Sequence, residues 1–238
     1  MAALALAGCN VNQRHSAIMQ DKSPFNPLPL AVWVLVLGIA GVELVLWAGA
    51  HGLVNWEGSA GWRAQALVAI GVSPDVQGWM LETRQTPPEH LLRYLGFGFV
   101  HLGPLQAALV IVITAALGKF CAERLGSWRV LAVLILAQAM SGFAFGLVAA
   151  PGAWLIGGYP MIFALAGCYA GLVWTSAEDR TARIKALTLV AVLLSGRMAL
   201  AAFAGGGADW VADLVACAAG YTLGHILRPG LVARLRRV

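Results

Sequence analysis

Few side chains in this sequence could do chemistry, and most of them stand inside or at the edge of long apolar runs. They are Glu43, His101, Ser141, Tyr159, Arg197 and Asp213. Nucleophilic hydrolysis needs a hydroxyl or thiol beside a base that can take its proton. Tyr159, within Gly157-Gly158-Tyr159-Pro160, and Ser141, within Ala139-Met140-Ser141-Gly142, are the hydroxyls placed for such a role. Ionisable groups in an apolar segment are costly and face a partner or a wet cavity, so Glu43, Arg197 and Asp213 are equally candidates for structural ion pairs. The cysteines Cys9, Cys121, Cys168 and Cys217 have no C-x-x-C spacing. They read as small packing residues, and neither a metal centre nor a cofactor is expected.

The elements that must position these residues are membrane helices. Of 238 residues, 60% are hydrophobic and 11% charged, and mean hydropathy is +0.77. Soluble domains carry roughly 25% charged residues. So few ionisable side chains exclude a soluble enzyme, a disordered regulator and a nucleic-acid binder, because most of the surface must face something other than water. The net charge of +5 comes from short basic clusters between apolar runs, the pattern of orienting charges and not of a phosphate-binding face.

A helix needs about 20 apolar residues to cross a bilayer. Six stretches qualify: 30–50, 95–118, 129–150, 158–176, 184–204 and 209–227. Between the first two, residues 51–93 carry Trp56, Trp62, Trp79, Pro87, Pro88 and four acidic residues. That composition suits a long interfacial loop with short amphipathic helices. With the N-terminus inside, twelve Lys and Arg residues face the cytoplasm and three (Arg63, Arg84, Arg93) lie outside, which predicts both termini in the cytoplasm. Leu6-Ala7-Gly8-Cys9 looks like a lipobox, but its apolar run is short and lacks a preceding basic residue; Met19 is the expected natural start. The division is therefore a cytoplasmic tail over 1–29, a six-helix membrane domain over 30–228 and a basic cytoplasmic tail over 229–238.

Four motifs in order decide between six-helix families. Arg93-Tyr94 followed by Phe99-Val100-His101 resembles the approach to the second helix of rhomboid intramembrane serine proteases. Glu123-Arg124-Leu125-Gly126 is similar to the E-x-x-x-G turn closing that helix, one residue shorter. Gly157-Gly158-Tyr159-Pro160 resembles the G-x-S-G start of the fourth helix. Ala212-Asp213-Leu214 with Gly220 and Gly224 is similar to the A-H-x-x-G-x-x-x-G stretch of the sixth. The resemblance spans roughly residues 90–228 and implies an all-α, six-transmembrane-helix rhomboid-like bundle with a long first periplasmic loop, in a bacterial inner membrane.

The resemblance also implies where catalysis would sit, and there the residues depart from it. Tyr159 occupies the serine position and Asp213 the histidine position, while Gln106 and Val110 replace the His and Asn that help bind the oxyanion. A phenol of pKa about 10 beside a carboxylate of pKa about 4 is a poor acyl-transfer pair. Val110 offers no side-chain donor, and Pro160 removes a backbone N–H. Catalytic positions are thus expected to be degenerate. Ser141 is the fallback nucleophile, but 72 residues separate it from Asp213 against 54 for Tyr159, and the shorter interval suits a pairing of the fourth and sixth helices. The run around Ser141, Gly142 and Gly146 reads equally as a small-residue packing face.

Glu43 and Arg197 both lie about 10 Å below the outer membrane face at 1.5 Å per residue, with Asp213 slightly shallower. Arg197 could pair with Asp213 or with Glu43, and Tyr159 could donate to Asp213; alternatively each meets water in a cavity. His101, Arg93, Gly157, Gly158 and Pro160 are expected to shape that cavity, with His101 either bonded to the first loop or holding a ligand. Ala212, Ala216, Gly220 and Gly224 recur every four residues on one face, a seam for close helix packing inside the bundle or across a dimer. The resulting expectation is a pseudoprotease that binds transmembrane helices of client proteins without cleaving them. An active intramembrane endopeptidase with a non-standard nucleophile and a structural subunit of a larger membrane complex are the alternatives. The partners expected are the bilayer and such helices, with the chain a monomer or part of a complex.

Overall fold

A computed structural model describes residues 27–54, 56–176, 179–203 and 207–228. The lipobox-like segment, Met19 and the basic tail from 229 onward lie outside these residues. Helix α1, Leu30–Ala50, starts where Pro29, with φ −59° and ψ 148°, turns the chain and its carbonyl accepts the N–H groups of Val32 and Trp33. Val32, Leu35, Ile39, Glu43 and Leu46 are its buried positions, a three-to-four spacing that puts one stripe against the bundle.

The stretch after α1 folds into a short 3₁₀ turn, Ser59–Gly61, and three small helices: α2, Trp62–Ile70; α3, Pro74–Thr83; and α4, Pro88–Gly96. Ser73 caps α3, its hydroxyl accepting the Asp75 N–H at 3.2 Å, and Pro74 and Pro88 begin α3 and α4, where a missing N–H costs nothing. These helices are tied down by polar contacts. Arg93 donates to the carbonyls of Val68, at 2.6 Å, and Gly71, at 2.9 Å, joining α4 to the end of α2. The Tyr94 hydroxyl donates to Gln77 Oε1 at 2.7 Å.

The remaining helices are α5, Pro104–Leu125; α6, Ser127–Val148; α7, Tyr159–Ser176; α8, Arg180–Phe203; and α9, Asp209–Ile226. Helix α5 begins nine residues later than the apolar run predicts. Residues Phe97–Phe99 form a 3₁₀ turn, and Pro104 sits at the first helical position, so the run divides into an irregular lead-in and the helix. Among the described residues, α1, α5, α6 and α8 are long and apolar enough to cross a membrane. Helices α7 and α9, at 18 residues each, are shorter. Twelve residues of α7 are buried, which makes it the central element of the bundle.

Helices α7 and α9 touch backbone to backbone. A Cβ on Gly220 would lie 1.9 Å from the Ala164 carbonyl oxygen, and one on Gly167 would lie 2.0 Å from that of Cys217. Only glycine permits this approach, the close packing that helices in lipid obtain from small residues. Ala212 and Ala216 are buried on the same helix, and Gly224 meets Cys168. The small-residue seam of α9 thus lies within one chain, against α7.

Candidate functional site

The site is assembled where the chain enters α7. Leu155 and Val72 exchange backbone hydrogen bonds of 2.9 and 3.1 Å, and the Gly157 N–H donates to the Phe97 carbonyl at 2.9 Å. Gly157 has φ +103°, a conformation that side chains rarely tolerate. The next N–H, that of Gly158, donates to His101 Nε2 at 3.2 Å. A ring nitrogen that accepts is unprotonated, so the imidazole is neutral with its proton on Nδ1. His101 is fully buried and its Nδ1 has no partner. Burial holds its pKa below the ordinary imidazole value, outweighing the nearby Glu43 carboxylate, which pulls the other way. His101 therefore braces the segment before α5 against the start of α7, and its Nε2 is occupied by a backbone donor of this chain.

Around that contact lie Gln106, Val110 and Pro160, positions that the sequence motifs single out. Gln106 Oε1 accepts the Leu102 N–H at 2.9 Å, and its Nε2 is what a Cβ on Gly157 would strike, at 2.7 Å. Val110 is fully buried and abuts Gly158. Pro160, inside the first turn of α7, supplies no N–H.

Tyr159 and Asp213 are linked through a third residue. Arg197, on α8, donates from Nε to Asp213 Oδ2 at 2.8 Å and from its terminal nitrogen to Asp209 Oδ2 at 3.3 Å. Its guanidinium carbon stands 5.0 Å from the centre of the Tyr159 ring, a cation–π distance. Of the two partners predicted for Arg197, the structure has Asp213. A direct bond from Tyr159 to Asp213 is not formed among the described residues; Arg197 contacts both. Asp213 is 1% exposed and Arg197 17% by side chain, so these groups are paired and largely dry. Asp213 Oδ1 has no hydrogen-bond partner.

Glu43 belongs to a separate cluster. Arg63, at the start of α2, grips it with two bonds, Nη2 to Oε1 at 2.7 Å and Nη1 to Oε2 at 3.0 Å. The same guanidinium donates to the His101 carbonyl. One cation thus joins α1, α2 and the lead-in to α5. Sequence reasoning counted Arg63 only as an orienting charge. The available signal was that buried Glu43 needed a cation and that the adjoining loop holds three, Arg63, Arg84 and Arg93.

Ser141 lies on α6 away from these groups. It is fully buried, and its hydroxyl donates back to the Gln138 carbonyl at 2.9 Å. Gln138 is 4% exposed, and both atoms of its amide lack a partner. Among the described residues, no cluster of His, Cys, Asp and Glu could hold a metal ion.

The matched chemistry of this region is that of charge and hydrogen-bond bracing around a glycine-rich helix start. No curated protein matches the chain. The rhomboid domain family model matches residues 88–230, from the start of α4 to just past α9. That stretch contains Arg93, His101, Gln106, Val110, Tyr159, Arg197 and Asp213, and the chain belongs to the rhomboid family.

Proposed function

We propose that this is a rhomboid-like integral membrane pseudoprotease, crossing a bacterial inner membrane six times with both termini in the cytoplasm, that holds transmembrane helices of client proteins without cleaving them. One observation carries the reading: Arg197 engages both Tyr159 and Asp213, bonded to the carboxylate at 2.8 Å and set over the phenol ring at 5.0 Å. A carboxylate oxygen held by a guanidinium is not free to take a proton from the phenol, and a phenol not hydrogen-bonded to a base does not become a nucleophile at neutral pH. His101, whose Nε2 accepts from Gly158, is not free to take a proton from a nucleophile either. The fallback hydroxyl of Ser141 is fully buried and spends its proton on the Gln138 carbonyl, which argues against a protease using that residue.

What remains is a bundle that offers apolar lateral surface and a few polar groups within it, features suited to holding a helix in lipid. A photocrosslinker at position 159, in native membranes, tests the reading. Membrane-protein adducts above those of a control position on the lipid-facing side of α5 are expected; equal capture at both positions refutes client binding. Incubation with a fluorophosphonate probe is expected to leave the protein unlabelled, and labelling abolished by Ser141→Ala would replace this reading with an active protease.

A further inference from the structure

Tyr159, the first residue of α7, stands on a backbone held from outside that helix. A Cβ on the preceding Gly158 would lie 2.4 Å from Val110 and 3.2 Å from both the Gly98 oxygen and His101 Nε2. The same imidazole nitrogen accepts the Gly158 N–H, so the start of α7 keeps its place only while the ring keeps its own. His101 belongs to no helix. It lies between the 3₁₀ turn Phe97–Phe99 and Pro104, the first residue of α5. Its backbone is fixed at one peptide instead: the His101 oxygen accepts from Arg63 Nη1, and the Leu102 N–H on that same peptide donates to Gln106 Oε1 at 2.9 Å. A peptide is planar, so holding both of its polar groups orients the Cα that carries the imidazole.

Arg63 is held in its turn. Glu43 takes Nη2 at 2.7 Å and Nη1 at 3.0 Å, and a two-pronged contact sets the plane of a guanidinium as well as its position. The direction of the remaining donation from Nη1 is thereby fixed toward the His101 oxygen. Three links in series run from Glu43 on α1, through Arg63 on α2 and His101 before α5, to Gly158 at the start of α7. A lysine at position 63 could pair with Glu43 but has no planar fork with which to hold the carbonyl as well.

We infer that Arg63 is a positioning residue of the site: held flat by Glu43, it orients the His101–Leu102 peptide and, through the His101 ring, the Gly158–Tyr159 start of α7. The short helix α2 is thus coupled to the site through a contiguous set of contacts. This holds whether or not the site receives a client helix.

The test reads native-state amide exchange in the full chain, carrying isotope-labelled glycine, in detergent micelles. Gly158 reports the start of α7, and Gly220, in the α7–α9 seam, reports the bundle as a whole. Arg63→Gln is expected to raise exchange at Gly158 about tenfold more than at Gly220, the scale of one hydrogen bond to a charged group. Arg63→Lys, which keeps the charge, is expected to raise it to within about twofold of the same extent. An equal rise at both glycines would show that Arg63 only stabilises the bundle, and wild-type protection of Gly158 in Arg63→Lys would show that charge alone suffices; either overturns the inference. His101→Phe keeps a ring and removes the acceptor. In that background Arg63→Gln is expected to change Gly158 exchange by less than about twofold, and a full tenfold effect there would show that Arg63 does not act through the imidazole. The Arg63→Lys comparison stands even if His101→Phe does not fold. No client helix is added, so failure here leaves client binding intact.

Discussion

The Arg197–Asp213 pair makes a quantitative demand on stability. Asp213 is 1% exposed and Arg197 17% by side chain, with Nε and Oδ2 at 2.8 Å, so the two residues respond unequally to loss of a partner. Arg197→Met leaves a buried carboxylate beside a second one, with no cation. Removing one member of a buried pair costs about 3–5 kcal/mol, and the lower half applies here because Asp209 is partly exposed. Asp213→Asn removes the buried charge and nearly keeps the shape. Arg197 then retains Asp209, at 3.3 Å, and its long stem lets the head reach outward, so the cost is about 1–2 kcal/mol. The double variant has neither the pair nor the stranded charge and is expected near 2 kcal/mol, which makes the coupling about 2–4 kcal/mol. Reversible unfolding in mixed micelles measures the cycle. For a chain of this size the Arg197→Met loss corresponds to a fall in Tm of about 6–12 °C. Costs that add to within about 0.5 kcal/mol would show that the two groups do not interact, and the bracing assigned to Arg197 would be wrong.

Three further outcomes follow from the geometry. Glu43→Gln breaks the double bond from Arg63 and frees the guanidinium that also holds the His101 carbonyl; a loss of about 2–3 kcal/mol and faster proteolysis within 62–96 are expected, and unchanged proteolysis counts against the three-way tie. Gly220→Ala places a methyl where the Ala164 oxygen lies 1.9 Å away, whereas Gly41→Ala meets nothing within 4 Å; the first is expected to destabilise by about 3 kcal/mol or more and the second to be neutral or slightly stabilising, and equal Tm values would refute the α7–α9 contact. Because burial lowers the His101 pKa, the unfolded chain takes up a proton near pH 6.5 before the folded one does. Stability attributable to His101 is therefore present above about pH 6.5 and falls as the pH drops toward its lowered folded value; His101→Gln is expected to flatten that fall, and an identical pH profile in the variant would refute it.

How much of this was legible in the sequence depended on range. Helix α1 follows an apolar run, broken only by Glu43, from a proline to a pair of turn residues, so its bounds of Leu30–Ala50 match the reading from composition. Helix α5 does not, because hydropathy cannot tell an apolar 3₁₀ turn from an apolar helix; the marker was Gly103-Pro104, which a local reading of backbone preferences favours over a run of Leu and Val. The motif order located Tyr159 and Asp213, but a motif carries no information about a residue it does not include. Arg197 entered only as a charge at matched depth, and the choice between Asp213 and Glu43 required knowing that Arg63 had already taken Glu43. Pairing of buried charges is an allocation problem over the whole chain, and one cation from an interfacial loop decides it.

The same allocation explains how the fold keeps a polar interior. Each buried carboxylate has a guanidinium from a different element: Glu43 on α1 from α2, and Asp213 on α9 from α8. Helix α8, with the smallest buried share, depends most on its ion pair. A long apolar helix gains little from leaving lipid for a protein surface, since both are apolar. Its attachment at the outer end must come from polar contact, and Arg197 makes three such contacts, with Asp213, Asp209 and the Tyr159 ring. Substituting any one of them leaves two, so single changes at Asp209 or Tyr159 should loosen α8 without releasing it, while Arg197→Met removes all three at once. The residue that joins Tyr159 and Asp213 is thus also the one on which the placement of the most exposed helix rests.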